Sequence, residues 1–267
     1  MRSYLALFQM RFIRGLQYRT AALAGIFTQF FWGFMHIMIF EAFYTSSSAT
    51  QPINFHQLVN MLWLQQAFLA FIMLWFRDNE IINQIIKGDI AIELLRPIKL
   101  YEFWYSRLLA QRSSSAMLRF LPILIVAFLL PYPYNFVLPQ DIISFLLFIV
   151  TLCLGVLIVV ALSMLIYISM FYTLSGTGSI LIFGVIGEFL AGLIIPIPLM
   201  PEALQRIVYL LPFRYTTDLP FRIYVGSIPR REALISICIQ VIWLIILYII
   251  GKLWMSKALK RLVIQGG

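Results

Sequence analysis

Charged side chains are scarce in this chain of 267 residues: Asp, Glu, Lys and Arg make up 12% of it, against about 25% in soluble domains. Apolar residues reach 62%, and the mean hydropathy is +0.92. Nearly every long segment is apolar, so too little polar sequence remains for a separate domain in water. The composition therefore excludes an ordinary soluble enzyme and predicts one integral membrane domain over residues 1–267.

Cysteine and histidine are nearly absent, with two residues of each. Cys153 and Cys238 lie in different apolar runs, and His36 and His56 have no partner at a metal-ligand spacing. No Ser-His-Asp arrangement is visible either. These absences predict no metal site, no disulfide and no catalytic group carried by this chain.

A nucleotide-binding loop is also missing. The motif GxxxxGK[ST] holds phosphates through its glycine amides and its lysine, and none of the five lysines stands in that context. The nearest approach, Gly251-Lys252, is followed by Leu253 at the end of an apolar run. If ATP drives this protein, another polypeptide must hydrolyse it.

Six apolar runs are present, and each reaches the roughly 20 residues that a helix needs to cross a bilayer. They lie at about 21–43, 58–76, 116–134, 142–172, 179–197 and 233–254. Since lipid offers no hydrogen-bond partner to the backbone, each run is predicted to be helical. The expected fold is an all-α membrane protein with six transmembrane helices.

The distribution of positive charge predicts the orientation of these helices. The excess of nine positive charges flanks the apolar runs and forms no compact basic face, so nucleic acid is not an expected partner. Basic residues concentrate at both termini and in the second connection, 77–119, while the first and third connections carry none. The positive-inside rule therefore predicts that both termini and the second connection are cytoplasmic, in the cytoplasmic (inner) membrane.

Residues 198–232, here called the proline-rich segment, conflict with that rule because five arginines lie on the predicted outer side. Three pairs spaced by four residues soften the conflict if the segment is locally helical: Glu202 with Arg206, Arg214 with Asp218, and Asp218 with Arg222. Prolines break the segment into pieces too short to span, which predicts small helices at the interface. A packed outer loop and a part in substrate release both remain open for it.

The amino-terminal residues 3–19 are predicted to form an amphipathic helix on the membrane surface. Leu5, Phe8, Phe12 and Leu16 share one face of a helical wheel, whereas Arg11, Arg14 and Tyr18 lie opposite. Such a helix suits the anionic cytoplasmic leaflet and makes membrane lipids an expected partner.

Residues 79–97, here called the charged segment, predict two short helices with a hinge. Asp78 or Asn79 can cap the first helix, Lys87 suits its last turn, and Gly88 can adopt the left-handed conformation that ends it. Its apolar stripe comprises Ile81, Ile82, Ile85 and Ile86.

The second helix of the charged segment is expected to start from Asp89 as its cap. Its apolar stripe comprises Ile90, Ala91, Leu94 and Leu95, with Glu93 and Arg96 on the polar side. Pro97 should end it, because the residue before a proline avoids the helical region. By spacing alone, an amphipathic connector and a docking element for a cytoplasmic partner are equally acceptable interpretations.

Two stretches resemble ABC-2-type permeases, the membrane subunits of bacterial ATP-binding-cassette exporters. The first is IINQIIKGDIAIELLRPI with the aromatic-rich residues that follow it, and the second is LPFRYTTDLPFRIYVGSIP with the last apolar run and the terminus KALKRLVIQGG. The resemblance covers essentially the whole chain and points to the six-span branch whose ATPase is a separate chain.

The resemblance implies a transport subunit and not an enzyme. It implies two copies of a cytoplasmic ABC ATPase as partners, a second permease that is the same or homologous, and ATP and Mg bound by the ATPase, with no cofactor on this chain. It places the coupling of transport to ATP hydrolysis on Ile85, Lys87, Gly88, Asp89, Ile90, Glu93, Arg96 and Pro97. A hydrophobic or amphiphilic substrate is expected because aromatic residues line several runs.

Glu188 is the one acidic residue near the centre of a predicted span. Charge at that depth costs about 2.5 to 3.5 kcal/mol, so the side chain should face protein or water. Gly184 and Gly187 form a smooth strip beside it that permits close packing. A place on the substrate pathway and a buried structural hydrogen bond are both open for Glu188.

Two other classes of function compete with transport. A membrane-embedded enzyme acting on lipids could use Glu188 or His36 as its acid or base, and it would be active without an ATPase. A non-transporting scaffold or sensor could use the same amphipathic helices, and no substrate would stimulate an ATPase through it.

Overall fold

The computed structural model describes residues 2–46, 50–95, 97–173 and 176–260, and these ranges contain helices and no strand. The helices are α1 (Arg2–Leu16), α2 (Arg19–Ser46), α3 (Phe55–Ala67), α4 (Leu69–Ile72), α5 (Asn79–Lys87), α6 (Ile90–Leu94), α7 (Leu100–Phe128), α8 (Ile142–Thr173), α9 (Gly176–Leu190), α10 (Glu202–Leu210), α11 (Asp218–Tyr224) and α12 (Arg230–Leu259). The prediction of an all-α protein is confirmed.

Within the described residues, three helical stretches are long and apolar enough to cross a membrane. They are Ala22–Ser46, Ile142–Thr173 and Arg230–Leu259. They contain most or all of the first, fourth and sixth predicted runs. The last of these begins and ends beyond the predicted bounds, because its polar first and last turns continue the helix.

The second predicted run is not one continuous helix, and that expectation is wrong. The chain leaves helical geometry at Phe68, between α3 and α4, and becomes extended at Met73. At 1.5 Å per residue, the 13 residues of α3 cover only about 20 Å. Most of α3 is buried in protein, so the break is surrounded by other helices and not by lipid.

The third and fifth runs also differ from their predicted bounds. Helix α7 begins at Leu100 and ends at Phe128, so it starts 16 residues before the predicted run 116–134 and stops short of its end. Helix α9 ends at Leu190, and Gly192 turns the chain with φ of +80°. The apolar runs located these helices but not their ends, and the count of six spans stays a prediction.

Helix α8 is the centre of the molecule. It packs against α7, α9, α11 and α12, and it is the most deeply buried of the three long apolar helices. Large buried side chains pack against it: Trp104 of α7 stacks on Phe171, and Phe221 of α11 lies against Phe148. Because α2 and α12 expose most of their apolar surface, they suit the lipid-facing side of the bundle.

Helix α1 lies along α7, with Gly15 packed against Ser114. Arg11, Arg14 and Tyr18, which were predicted to share a face, line one cavity together, and Arg11 pairs with Glu80. Leu5, predicted on the opposite face, is exposed. The position of this helix on the membrane surface stays a prediction.

The proline-rich segment folds into α10, α11 and two short 3-10 turns. Two of its three expected ion pairs are present, since Glu202–Arg206 and Asp218–Arg222 each lie at 3.8 Å. The third, Arg214 with Asp218, does not form. The Arg214 guanidinium instead lies over the ring of Tyr209, 4.2 Å from its centre.

Candidate functional site

The first helix of the charged segment has the predicted ends. The Asp78 carboxylate accepts hydrogen bonds from the backbone N–H groups of Glu80 at 3.0 Å and Ile81 at 3.1 Å, which confirms the N-terminal cap. Gly88 has φ of +76°, the left-handed conformation that ends a helix at little cost only in glycine. A Cβ at Gly88 would meet no atom within 4 Å, so the backbone conformation alone requires glycine there.

The apolar stripe of α5 is buried only in part. Ile81 and Ile85 are buried under the helix, while Ile86 and Lys87 are exposed. The last turn of α5, next to Gly88, therefore carries an exposed apolar side chain, that of Ile86.

Helix α6 is rotated relative to the expectation. Ile90 is buried as predicted, but Leu94 is exposed and 87% of the Leu95 surface is accessible. The predicted polar residue Glu93 faces inward, where it accepts hydrogen bonds from Gln84 Nε2 at 2.8 Å and from Trp104 Nε1 at 3.0 Å. Two donors satisfy the carboxylate, which removes most of the penalty for burying it and leaves the leucines outside.

The two ends of α6 differ from each other. Asp89 stands at the first cap position, but its side chain makes no capping hydrogen bond, so the expectation that it caps α6 is wrong. It is exposed, as is Pro97 after the helix end. Arg96 lies outside the described residues.

A buried arginine holds the base of the charged segment. Arg107 of α7 donates to Asp78 through two bonds, Nε to Oδ2 at 2.6 Å and Nη2 to Oδ1 at 2.7 Å. The same guanidinium pairs with Glu80 at 2.5 Å, and Arg11 of α1 reaches Glu80 at 3.0 Å. The bond from Arg11, with the charge of Arg107, holds the pKa of Glu80 below its ordinary value.

A second buried arginine holds the connection between α4 and α5. Arg112 is fully buried and donates to the carbonyl oxygens of Ala70 at 3.1 Å and Met73 at 2.8 Å, and to Ser163 Oγ at 2.9 Å. The Tyr167 hydroxyl accepts from the backbone N–H of Asp78 at 2.8 Å. Helices α7 and α8 thereby fix the path of the chain into α5.

Sequence reasoning did not assign these anchoring roles to Arg107, Arg112 and Tyr167. Their partners lie far away along the chain, and no local spacing joins them. The available signal was two arginines five residues apart, next to an apolar run and without nearby acidic residues. Such arginines need partners elsewhere in the protein if they are buried.

The structure places Glu188, Gly184 and Gly187 beside that same connection. Trp75 lies beside Glu188, and a Cβ on Gly184 would lie 3.1 Å from the Cβ of Trp75. Gly187 faces Leu74 and the ring of Phe213. The strip of small residues on α9, Gly184 and Gly187, thus packs against the residues that lead into the charged segment and against the proline-rich segment.

These contacts define a class of protein: a helical membrane protein in which a short amphipathic segment exposes apolar side chains while buried ion pairs hold its base. The chain matches a family model described as ABC-2 family transporter protein over residues 30–266. It therefore belongs to that family, and the resemblance noted in its sequence is confirmed. A search of curated proteins found no match. Family membership makes it a multi-pass membrane protein with a permease role in an ABC transporter.

Proposed function

We propose that this chain is the permease subunit of an ABC exporter in the cytoplasmic membrane, with six spans and both termini in the cytoplasm. Two copies of a separate ABC ATPase bind ATP and Mg and hydrolyse the ATP, and a second permease, identical or homologous, completes the pathway. The charged segment docks on the ATPase. One observation carries this proposal: the exposed apolar tip of the charged segment stands on a fully anchored base.

The tip, defined as Ile86, Leu94 and Leu95, has the composition of an interface centre. Its apolar side chains are exposed beside the charged and exposed Lys87 and Asp89. Apolar residues at the centre with polar residues at the rim are the usual arrangement of a protein interface. Contact with water alone would not favour a leucine side chain that is 87% exposed at the end of α6.

The base of the segment supports transmission of movement. Asp78 is joined to α7 through Arg107 and to α8 through Tyr167, so a displacement of α5 pulls on both helices. The connection before it touches α9 at Gly184 and Gly187. Closure of the ATPases would in this way change the packing of the membrane helices, with Glu188 at the point of contact.

The expected substrate is hydrophobic or amphiphilic. A cavity of about 240 Å³ lies between α8, α9 and α12, and its lining is entirely apolar. Leu74, Phe183, Phe213 and Trp254 form much of that lining. Its wall includes Leu74, so movement of the charged segment changes the shape of the cavity.

The docking proposal is tested by placing a charge on the tip. A cognate ABC ATPase, sought first in the neighbouring gene, is co-expressed with the full chain, and the complex is isolated through a tag on the permease. Leu95→Asp should lower ATPase recovery and substrate-stimulated hydrolysis by about tenfold, since charge in an apolar interface centre costs roughly 1.4 kcal/mol or more.

Leu210→Asp is the matched control, because Leu210 is 77% exposed and lies on α10, away from the tip. It should leave ATPase recovery unchanged. Asp89→Ala tests the rim of the tip and Glu93→Ala tests its support from Trp104. The docking proposal is wrong if Leu95→Asp and Leu210→Asp recover equal amounts of ATPase with equal stimulated activity.

A further inference from the structure

A second feature of the molecule is a basic cavity of about 370 Å³ between α1, α7 and the residues that lead into α5. Its volume lies within the range of about 300 to 1,000 Å³ that small-molecule sites occupy. Four arginines and two carboxylates line it: Arg11, Arg14, Arg77, Arg107, Asp78 and Glu80. Four positive and two negative groups leave a formal excess of two positive charges.

The two carboxylates are already occupied by two of the arginines. Arg107 binds Asp78 and Glu80, and Arg11 binds Glu80 through both of its terminal nitrogens, at 3.0 and 3.4 Å. The remaining nitrogen of Arg11, Nε, is buried without a hydrogen-bond partner among the described residues. Each carboxylate is therefore already paired with at least one guanidinium, and neither pairs with Arg14 or Arg77 in this structure.

Arg14 and Arg77 provide the excess charge. Neither side chain forms an ion pair or a hydrogen bond within the part of the chain that the structure describes, and the two arginines line the cavity from different elements, α1 and the approach to α5. A planar guanidinium binds a phosphoryl group through two parallel hydrogen bonds, which a pair of free arginines across one cavity can do from two sides. Tyr18 and Ser115 add hydroxyl donors to the same lining.

The place of the cavity suits a ligand at the membrane surface. Tyr18 and Arg19 immediately precede the apolar stretch Ala22–Ser46, and α1 exposes the apolar residues Met10 and Ile13. Amphipathic helices of this type lie at the level of lipid head groups. The cavity therefore opens near the depth at which a phospholipid carries its phosphate.

We propose that this cavity is a binding site for a phosphoryl group, held by Arg14 and Arg77, and that it joins α1 to the residues that lead into the charged segment. An anionic phospholipid head group and a soluble phosphate share this chemistry. The site does not depend on export or on an ATPase, so its test uses the isolated full-length chain.

The lipid arm measures binding of phosphatidylglycerol and phosphatidylcholine to the delipidated chain by native mass spectrometry. The soluble arm measures stabilisation by inorganic phosphate and by glycerol 3-phosphate in neutral detergent. The double substitution Arg14→Gln with Arg77→Gln should weaken binding of the ligand by at least about tenfold. The reason is that a hydrogen bond to a charged group contributes roughly 1.5 to 3 kcal/mol. Saturable, arginine-dependent binding in either arm supports the site and identifies its source of phosphate.

Two further variants separate a built site from general attraction to positive charge. Arg206→Gln with Arg231→Gln removes the same charge at exposed positions elsewhere, and should change binding by no more than about twofold. Arg14→Lys with Arg77→Lys keeps the charge but loses the paired hydrogen bonds, and should bind with intermediate affinity. The proposal is overturned if neither ligand binds saturably, or if the cavity variant and the distant control weaken binding equally.

Discussion

Two buried aspartates, Asp78 beside the charged segment and Asp218 in the proline-rich segment, have opposite surroundings. Asp78 is 5% exposed and accepts hydrogen bonds from Arg107 and from two backbone N–H groups. Asp218 is 2% exposed, yet neither of its carboxylate oxygens accepts a hydrogen bond within the described residues. Its nearest cation, Arg222, lies at 3.8 Å.

The surroundings of Asp78 are here called the fixed region, because hydrogen bonds hold its carboxylate. The surroundings of Asp218 are called the uncompensated region, because its buried carboxylate accepts no hydrogen bond within the described residues. A carboxylate with four hydrogen bonds cannot move without breaking them, so the base of α5 is rigid. Burial without donors raises the pKa of Asp218, although Arg222 and Arg214 oppose the shift. The rigid region is the one that we propose transmits force from the ATPase.

The largest expected effect comes from breaking the fixed region. Arg107→Met leaves the Asp78 carboxylate buried without a cation, and should lower the free energy of unfolding by about 3 to 5 kcal/mol. Thermal unfolding of the purified chain in detergent measures the loss. Arg222→Met is the matched change beside Asp218, and should cost clearly less because that pair is already long. Equal losses in the two variants would remove the distinction between the regions.

The next effect concerns Gly187, where the two regions meet. Gly187→Val forces the new side chain against Leu74 on one side and Phe213 on the other, and should cost about 1 to 3 kcal/mol. Helix α9 already carries the β-branched Val185 and Ile186, so the loss must come from the contact. Adding Leu74→Ala should restore part of the stability, as measured by thermal unfolding. Simple additivity of the two changes would contradict the packing assigned to Gly187.

A smaller effect tests the uncompensated region by pH. The folded chain holds the Asp218 proton more tightly than the unfolded chain, where the pKa is about 3.9. The free energy of unfolding should therefore fall as pH rises from that value to the raised folded pKa, and stay lower above it. Asp218→Asn should remove this fall in a series of melting temperatures. An unchanged series would show that the Asp218 carboxyl is compensated after all.

The smallest effect has the opposite sign and tests the fixed region. The pKa of Glu80 is lowered by Arg11, so its contribution is present above the ordinary glutamate pKa of about 4.3 and is lost as pH falls through the lowered value. Glu80→Gln should flatten this acid-side loss of melting temperature. The change is small because the side chain is 53% exposed and water screens the pair. Glu202→Gln, in an exposed pair, is the control and should leave the acid-side loss as it is.

Local rules predicted much of the charged segment and failed at identifiable points. The cap at Asp78, the left-handed Gly88 and the burial of Ile81 and Ile85 depend on neighbours a few residues away, and all are present. The rotation of α6 depends on Trp104, which donates to Glu93 from another helix. A prediction from amphipathic spacing places every charged residue on the outward face. It cannot include a hydrogen-bond donor, such as Trp104, that folding brings from another helix.

The same limit explains the second and third apolar runs. Counting apolar residues placed helices near 58–76 and 116–134, but it could not foresee that Phe68 breaks the first, nor that α7 starts at Leu100 and carries Arg107 and Arg112. Buried carbonyl oxygens and the Asp78 carboxylate compensate those arginines. Arg107 and Arg112, which were counted in the predicted connection 77–119, therefore lie inside helix α7.

By itself, the sequence determined the membrane class, the all-helical fold, the family and the caps of α5, because these follow from hydrophobicity, backbone hydrogen bonding and contacts between near neighbours. Only the tertiary structure decided which charges are compensated: Asp78 by Arg107, Glu93 by Trp104, and Asp218 by no hydrogen bond within the described residues. Compensation of a buried charge needs a donor at about 3 Å, and folding brings such donors from positions that no sequence period connects.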